Sequence, residues 1–326
     1  MQHQTFLRLA GALAVAVLAP CAARSAAAPQ IVIPGEQIYP ESLTSSADGS
    51  VIIGSIGART IFRAAPGAAR AQAWIRPGTD GLASIFGVLA DDASGTLWAC
   101  SQTSPFGPPA PEPHVPATLF AFDLKSGAPK GHYLFPTAGG FCNDIAVGPD
   151  GTAYATDTNN MEVVRLKKGA SQLEVWAASG PFGPKGGVLD GIAVLGGRVM
   201  VATLATSKLF SVPIEADGSA GPVALVKLSG SLENPDGVRR FGTHSLLVAE
   251  GGATGRLSRI DLTDDAGVMT PLKSGFADGP VSVTIVGTTA YLLEGQLSKL
   301  MRRDPTAAAA PPGPFRATAV EVGRPD

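Results

Sequence analysis

The sequence predicts an all-β protein that folds as a six-bladed β-propeller with four-stranded blades. Three observations support this prediction: a sequence motif typical of a β-hairpin recurs six times, the copies start 44 to 56 residues apart, and the chain holds 40 glycines and 27 prolines among 326 residues. A repeat near 45 residues with about four strands per unit is typical of propeller blades. Many short strands joined by tight turns also explain this composition better than long helices do.

The clearest copy of the repeated motif lies in residues 140–157. An apolar run at 145–147 has the length of a strand. Pro149, Asp150 and Gly151 then predict a tight turn, because proline fixes φ and glycine accepts a positive φ. When the other copies are aligned on this one, the first strands of the six hairpins begin at Glu41, Gly87, Asn143, Asp190, Asp236 and Pro280.

A third strand is expected after each hairpin, at 60–63, 118–122, 162–166, 208–212, 256–260 and 298–301. Segments 31–34 and 316–322 are expected to join the last sheet, which would close the ring and remove exposed edges. The longest interval is explained by a proline-rich insertion at 103–116, which is either a cover that selects substrates or an exposed loop. Because no internal linker divides the chain, one propeller domain is predicted over residues 31–323.

The first 27 residues are predicted to be a cleaved signal peptide. Arg8 supplies the positive charge, residues 9–18 form the apolar region, and residues 25–28 are small enough for cleavage. A retained membrane anchor is the alternative, but the apolar run is short for spanning a bilayer. The sequence therefore predicts a periplasmic or secreted protein whose mature chain has no membrane span.

Charged residues make up 16% of the chain and form no basic run. This pattern argues against nucleic acid as a partner, and we expect a small-molecule substrate and a monomeric protein. Beyond the leader the cysteines are Cys100 and Cys142, and no Cys-x-x-Cys motif points to zinc. Both are expected at the same face of adjacent blades, either bonded to each other or as two free buried thiols.

The first strand of each propeller blade lines the central channel, so the residues at its start are expected to converge. Four of them are oxygen donors: Glu41, Asn143, Asp190 and Asp236. Such a set suits a hard cation, with calcium first and manganese, magnesium or zinc as alternatives. Three carboxylates without a cation would repel one another and raise each other's pKa. The competing explanation is that Asp-Gly and Asn-Asp pairs simply make good turns.

Asp157 and Glu250 end the second strands of their hairpins, which return to the same mouth of the channel. An acid at the end of an apolar strand is otherwise unhelpful, so we predict that these two side chains support the cation ligands from behind. The alternative is that they are ordinary polar strand ends that face water.

Two stretches carry a resemblance to a known family: 142–147 followed by Pro149-Asp150-Gly151, and 234–238. Over residues 31–323 the chain resembles the calcium-dependent six-bladed propellers that include gluconolactonase, senescence marker protein and luciferin-regenerating enzyme. The resemblance implies that the positions of Glu41, Asn143, Asp190 and Asp236 bind the cation or contact the substrate. Asp190 departs from the family, which usually has asparagine there, and its extra charge should tighten cation binding and weaken the ion as a Lewis acid.

The resemblance implies hydrolysis of a lactone or, less often, of a phosphoester. A cation at the mouth can polarise a carbonyl and hold water, and a neighbouring carboxylate can act as general base or nucleophile. We assign that role to Asp236, with Asp190 as the alternative, and expect Asn143 to orient the substrate or bind the ion. Two alternatives stay open: a non-catalytic propeller that binds a ligand or protein around a structural ion, and a carbon–nitrogen lyase or synthase.

Overall fold

The first strands of six sheets form a closed ring in the computed structural model, which describes residues 1, 29–106, 113–178, 180–277, 279–301 and 311–326. Each first strand contacts the first strand of the next sheet, and the sixth contacts the first. The sheets are therefore the blades of a six-bladed propeller, as the repeat predicts. The predicted signal peptide and residues 107–112 of the insertion lie outside the described residues.

Blades 1 to 4 are each formed by four antiparallel strands that follow one another along the chain. They come after β1 (Gln30–Ile33), which belongs to the last blade. Their strands are, in order, β2 (Pro40–Ser45), β3 (Val51–Ser55), β4 (Ile61–Ala64), β5 (Gln72–Ile75), β6 (Ser84–Asp91), β7 (Thr96–Gln102), β8 (Thr118–Asp123), β9 (Pro129–Leu134), β10 (Cys142–Val147), β11 (Ala153–Asp157), β12 (Glu162–Leu166), β13 (Glu174–Ala177), β14 (Leu189–Leu195), β15 (Arg198–Thr203), β16 (Lys208–Pro213) and β17 (Ala224–Leu225).

Blades 5 and 6 depart from this pattern. Blade 5 gains a fifth, short strand that pairs parallel with its outer strand, and blade 6 takes its outer strand from the start of the chain. The strands of blade 5 are β18 (Lys227–Leu228), β19 (Pro235–Phe241), β20 (Ser245–Glu250), β21 (Arg256–Thr263) and β22 (Ala266–Ser274). Those of blade 6 are β23 (Pro280–Val286), β24 (Thr289–Glu294), β25 (Phe315–Glu321) and β1.

The ring closes through blade 6, because β1 pairs antiparallel with β25. The expectation that both ends of the chain join the last sheet is therefore confirmed. The predicted third strand at 298–301 is wrong: this segment belongs to a short helix, α1 (Leu297–Leu300), and β25 is the third strand. Leu297 and Leu300 are three residues apart, so one turn of helix places both against two apolar clusters, one shared by blades 6 and 1 and the other by blades 2 and 3.

Apolar side chains from neighbouring blades pack face to face and form the core. One cluster joins blades 2 and 3 through Leu119, Ile145 and Val164, none of which is exposed. Because each blade buries its faces against its neighbours, no blade has a complete core of its own. No helix within the described ranges has the length and apolar character needed to cross a bilayer.

Candidate metal centre

A β-bulge lies at the start of the first strand in every blade. The pairing between first and second strands slips there, and the slip leaves one or two residues out of the regular ladder. A bulge of this kind bends the strand and redirects a side chain, here at the end of the channel. The residues within the slips are Glu41 in blade 1, Phe86 and Gly87 in blade 2, Asn143 and Asp144 in blade 3, Asp190 and Gly191 in blade 4, Asp236 and Gly237 in blade 5, and Val281 in blade 6.

Glycines in these bulges let adjacent first strands approach closely. A Cβ atom on Gly191 would lie 2.1 Å from the carbonyl oxygen of Asp236, and one on Gly87 would lie 2.3 Å from that of Asn143. Both distances are impossible for a real side chain, so only glycine fits at these two positions. The glycines thus help to set how near the oxygen-bearing residues of adjacent blades can come.

The backbone just before each carboxylate-bearing residue is strained. In three blades the residue two positions before the acid in the chain has a positive φ although it is not glycine. This backbone conformation costs on the order of 1–3 kcal/mol. Such strain tends to persist at functional sites because the surrounding structure enforces it. These residues are Tyr39 before Glu41 (φ 43°), Val188 before Asp190 (φ 59°) and Asn234 before Asp236 (φ 49°).

The three carboxylates converge at the mouth of the channel. One oxygen each from Glu41, Asp190 and Asp236 lies within 4.8 Å of the other two. Glu41 and Asp190 are 7% and 5% exposed, whereas Asp236 is partly exposed. Burial is the main cause that raises the pKa of all three, and repulsion from neighbouring carboxylates adds to it. The pKa of Asp190 is raised to about 7.

Asn143 lies in the corresponding bulge of blade 3. Its Nδ2 donates to Thr158 Oγ1 at 3.0 Å, and the Thr158 hydroxyl in turn donates to the carbonyl of Leu189. Since the Thr158 hydrogen is already used, Thr158 can only accept from Asn143, which fixes the orientation of the amide. The buried Oδ1 of Asn143 then has no hydrogen-bond partner among the described residues.

This combination of groups fits a hard divalent cation. The buried carboxylates repel one another, and a buried amide oxygen without a donor is costly unless something positive lies beside it. Calcium takes six to eight oxygen ligands, of which Glu41, Asn143, Asp190 and Asp236 could supply several. The donor set contains no nitrogen or sulfur, which also favours calcium or magnesium over softer metals.

Comparison with solved structures places this fold among known propellers. Virginiamycin B lyase from Staphylococcus aureus is 14% identical, with a TM-score of 0.57 over 89% of this chain and 98% of the lyase chain. Regucalcin from Agrobacterium tumefaciens, described as a calcium-binding protein, is 16% identical, with a TM-score of 0.57 over 90% of this chain and 96% of its own. A gluconolactonase from Xanthomonas campestris is 14% identical, with a TM-score of 0.59 over 88% and 87%.

The fold is that of the gluconolactonase and regucalcin propellers. The resemblance inferred from the sequence is therefore confirmed at the level of the fold. No protein-family model and no curated protein sequence matches the chain. At 14–16% identity these comparisons establish the architecture alone, because one propeller fold serves many activities.

Asp157 and Glu250 lie behind the mouth of the propeller and are fully buried. Asp157 Oδ1 accepts a hydrogen bond from the backbone N–H of Phe141 at 3.0 Å, and Glu250 Oε2 accepts one from that of Glu233 at 2.7 Å. In both blades the end of the second strand thus holds the loop that leads into the first strand. Ser101 does the same in blade 2 through the N–H of Ala83. This shared role was not evident from the sequence, where these residues differ in type.

A disulfide fixes the mouth between blades 2 and 3. Cys100 and Cys142 are bonded, with their Cα atoms 5.2 Å apart, and Asn143 is the next residue along β10. The side chain of Gln102 adds a second link, because its amide donates to the Cys142 carbonyl at 3.2 Å and accepts from the Cys142 N–H at 3.0 Å. The backbone beside Asn143 is therefore held by one covalent and two polar contacts.

Removing the disulfide with the double substitution Cys100→Ala and Cys142→Ala is expected to lower the free energy of unfolding by about 2–4 kcal/mol. The bridge spans 42 residues of chain, so its loss frees a long loop in the unfolded state. Urea unfolding measures this change, and the reduced wild-type protein, which keeps both sulfur atoms, is the matched control. A loss below about 0.5 kcal/mol in both samples would contradict a stabilising role.

Proposed function

We propose that the protein is an exported, calcium-dependent hydrolase that opens a lactone or a related ester. The observation that carries the proposal is the convergence of three buried or half-buried carboxylates, and the unpartnered amide oxygen of Asn143 in the bulge of blade 3 supports it. These groups stand at one end of the channel, where a substrate can reach them from solvent through the exposed side of Asp236.

Calcium is the proposed cofactor, and Glu41, Asn143, Asp190 and Asp236 are the residues that would hold it. When bound, it supplies positive charge that polarises the carbonyl of the substrate. An acid at Asp190, where a neutral amide would also provide an oxygen, adds negative charge and favours tight retention of the ion. The regucalcin described as calcium-binding has the same fold, which is consistent with this assignment.

Asp236 is the proposed general base. It is the most exposed of the three acids, so an attacking water meets it more readily than it meets Glu41 or Asp190. Its carboxylate takes the proton of the water as the water oxygen bonds to the carbonyl carbon. The bond from that carbon to the ring oxygen then breaks, and the proton passes to the departing oxygen. Asn143 orients the substrate beside this pair, and the product is a hydroxy acid.

The decisive experiment is a hydrolysis screen of the purified mature protein, with and without calcium. The panel holds aliphatic, aromatic and sugar lactones, aryl esters and a phosphotriester. We expect turnover of at least one lactone, loss of that turnover on chelation, and recovery when calcium is restored. Calcium binding in calorimetry without turnover of any panel member would favour a non-catalytic propeller with a structural ion. No calcium binding at all would remove the site assignment.

Export is tested separately from chemistry. The full chain, expressed in a bacterial host, should be recovered from the periplasm or the medium. The amino terminus of the recovered protein should follow the predicted leader of residues 1–27. Recovery of the full-length chain in the membrane fraction would support the anchor alternative instead.

A further inference from the structure

A buried ion pair crosses the channel next to the cation ligands. Arg239 of blade 5 donates from both terminal nitrogens to the carboxylate of Asp144 in blade 3, at 2.6 and 3.0 Å. Their side chains are 8% and 6% exposed. This is a bidentate pair, the geometry in which an arginine holds a carboxylate most rigidly.

The pair also contacts the two remaining blades that carry ligands. A terminal nitrogen of Arg239 lies 3.3 Å from Ser42 Oγ in blade 1, and the N–H of Ile192 in blade 4 lies 3.3 Å from Asp144 Oδ2. All four ligand-bearing strands therefore meet at one guanidinium–carboxylate unit. The two charged residues and their two contacts each follow a proposed ligand on the same strand by one to three residues: Ser42 after Glu41, Asp144 after Asn143, Ile192 after Asp190, and Arg239 after Asp236.

Stability alone does not account for such a pair. Removing two charges from water costs several kcal/mol per ion, and buried pairs can often be replaced by apolar side chains without loss of stability. Simple neutralisation of the acids does not account for it either, because Asp144 adds a fourth negative charge to the region. What the pair does provide is a rigid link of zero net charge between the first strands of two blades that are not neighbours in the ring.

We propose that Asp144 and Arg239 are positioning residues that hold the four ligand-bearing strands at the spacing a calcium ion requires. This inference rests on the calcium site of the proposed function. It assigns the two residues no contact with substrate. Their effect is transmitted through the bulges that present Glu41, Asn143, Asp190 and Asp236 to the mouth.

The test is calorimetric titration of calcium, as the chloride salt, into wild type, Arg239→Met, Asp144→Asn and the double variant Asp144→Asn/Arg239→Met. We expect each variant to bind calcium at least tenfold more weakly than wild type. The double variant separates positioning from an effect of charge, because its two neutral side chains together have the same net charge as the wild-type pair but cannot form the ion pair. If the pair acted only through charge, Arg239→Met would bind calcium more tightly and the double variant would return to the wild-type affinity.

Two controls separate positioning from general damage. Arg165→Met removes a mostly buried arginine that pairs with Glu174 at the outer edge of blade 3, and it should leave calcium affinity unchanged within twofold. Arg239→Lys keeps the charge but loses the planar fork, and it should weaken calcium binding while preserving the fold, judged by circular dichroism and by Tm in chelator. Variants that bind calcium as tightly as wild type would overturn the inference. A wild type that binds no calcium would overturn the proposed function itself.

Discussion

Asp236→Asn is expected to lower the turnover of the best lactone by about 10²–10⁴-fold, because an amide cannot accept the proton of the attacking water. The change keeps an oxygen at the same place and removes one negative charge. We therefore expect calcium affinity to fall by roughly tenfold, on the order of 1.4 kcal/mol, and the fold to survive. Initial rates at saturating calcium, measured beside calcium titrations of the same samples, separate the two effects.

Glu41→Gln is the matched comparison for this prediction. It also removes one charge from the cluster, but Glu41 is buried and has no assigned role in proton transfer. Its calcium affinity should fall by a similar factor, while turnover at saturating calcium should recover to within about tenfold of wild type. If Glu41→Gln and Asp236→Asn lose turnover equally at saturating calcium, Asp236 is only a ligand and the general base lies elsewhere.

The calcium-free protein is expected to lose stability as the pH rises from about 4 to beyond 7. The pKa of Asp190 is about 7 in the folded protein and near 3.8 when the chain is unfolded. Between these values the folded state binds more protons than the unfolded state, so the free energy of unfolding falls with rising pH. The effect of Asp190 is on the order of a few kcal/mol. The raised pKa values of Glu41 and Asp236 add to the loss in the same direction.

Calcium should reverse this trend, because it competes with protons for the same carboxylates. The rise in Tm on adding calcium is expected to be small at pH 5 and to reach several degrees at pH 8. Thermal unfolding across this pH range, with calcium and with chelator, measures both effects. Calorimetric titrations of calcium in buffers of different ionisation enthalpy give the number of protons released on binding, which measures the same competition independently.

Asp190→Asn provides the control for the pH prediction. The amide cannot titrate, so the calcium-free variant should be more stable than wild type at pH 8 and its stability should depend less on pH. Its calcium affinity should be about 10–100-fold weaker, since one charged ligand has become neutral. A calcium-free variant whose stability follows the wild-type pH profile would show that Asp190 is not the group responsible.

The sequence was sufficient for the architecture because a propeller is a repeat, and each hairpin reports the register of the next. It placed Glu41, Asn143, Asp190 and Asp236 at equivalent positions, and the three carboxylates among them do lie close together. It failed at 298–301, a run of four residues that is too short for its periodicity to distinguish a strand from a helical turn. Packing of the helix against the apolar clusters of blades 6 and 1 and of blades 2 and 3 decides that choice, and a local pattern contains no information about it.

The bulges and the Asp144–Arg239 pair could not be predicted in the same way. A bulge is a slip between two strands, and the sequence of one strand does not record how its partner aligns. Asp144 and Arg239 are 95 residues apart and join only when blades 3 and 5 have packed on the two sides of blade 4. One signal was available: Arg239 and Arg240 are adjacent in the first strand of blade 5, so one of them faces inward, where a buried charge needs a partner.

The shared construction of blade 6 has a consequence for how the protein folds. Gln30 pairs with Thr318, so the outer edge of this blade joins residues from the two extremes of the described chain. Contacts of such high sequence separation form slowly, because most of the chain must be ordered before they are made. The mouth needs blades 1 and 5 on the two sides of blade 6 in the closed ring, so its oxygen cluster becomes complete only late in folding. We therefore expect calcium to slow unfolding more than it speeds folding.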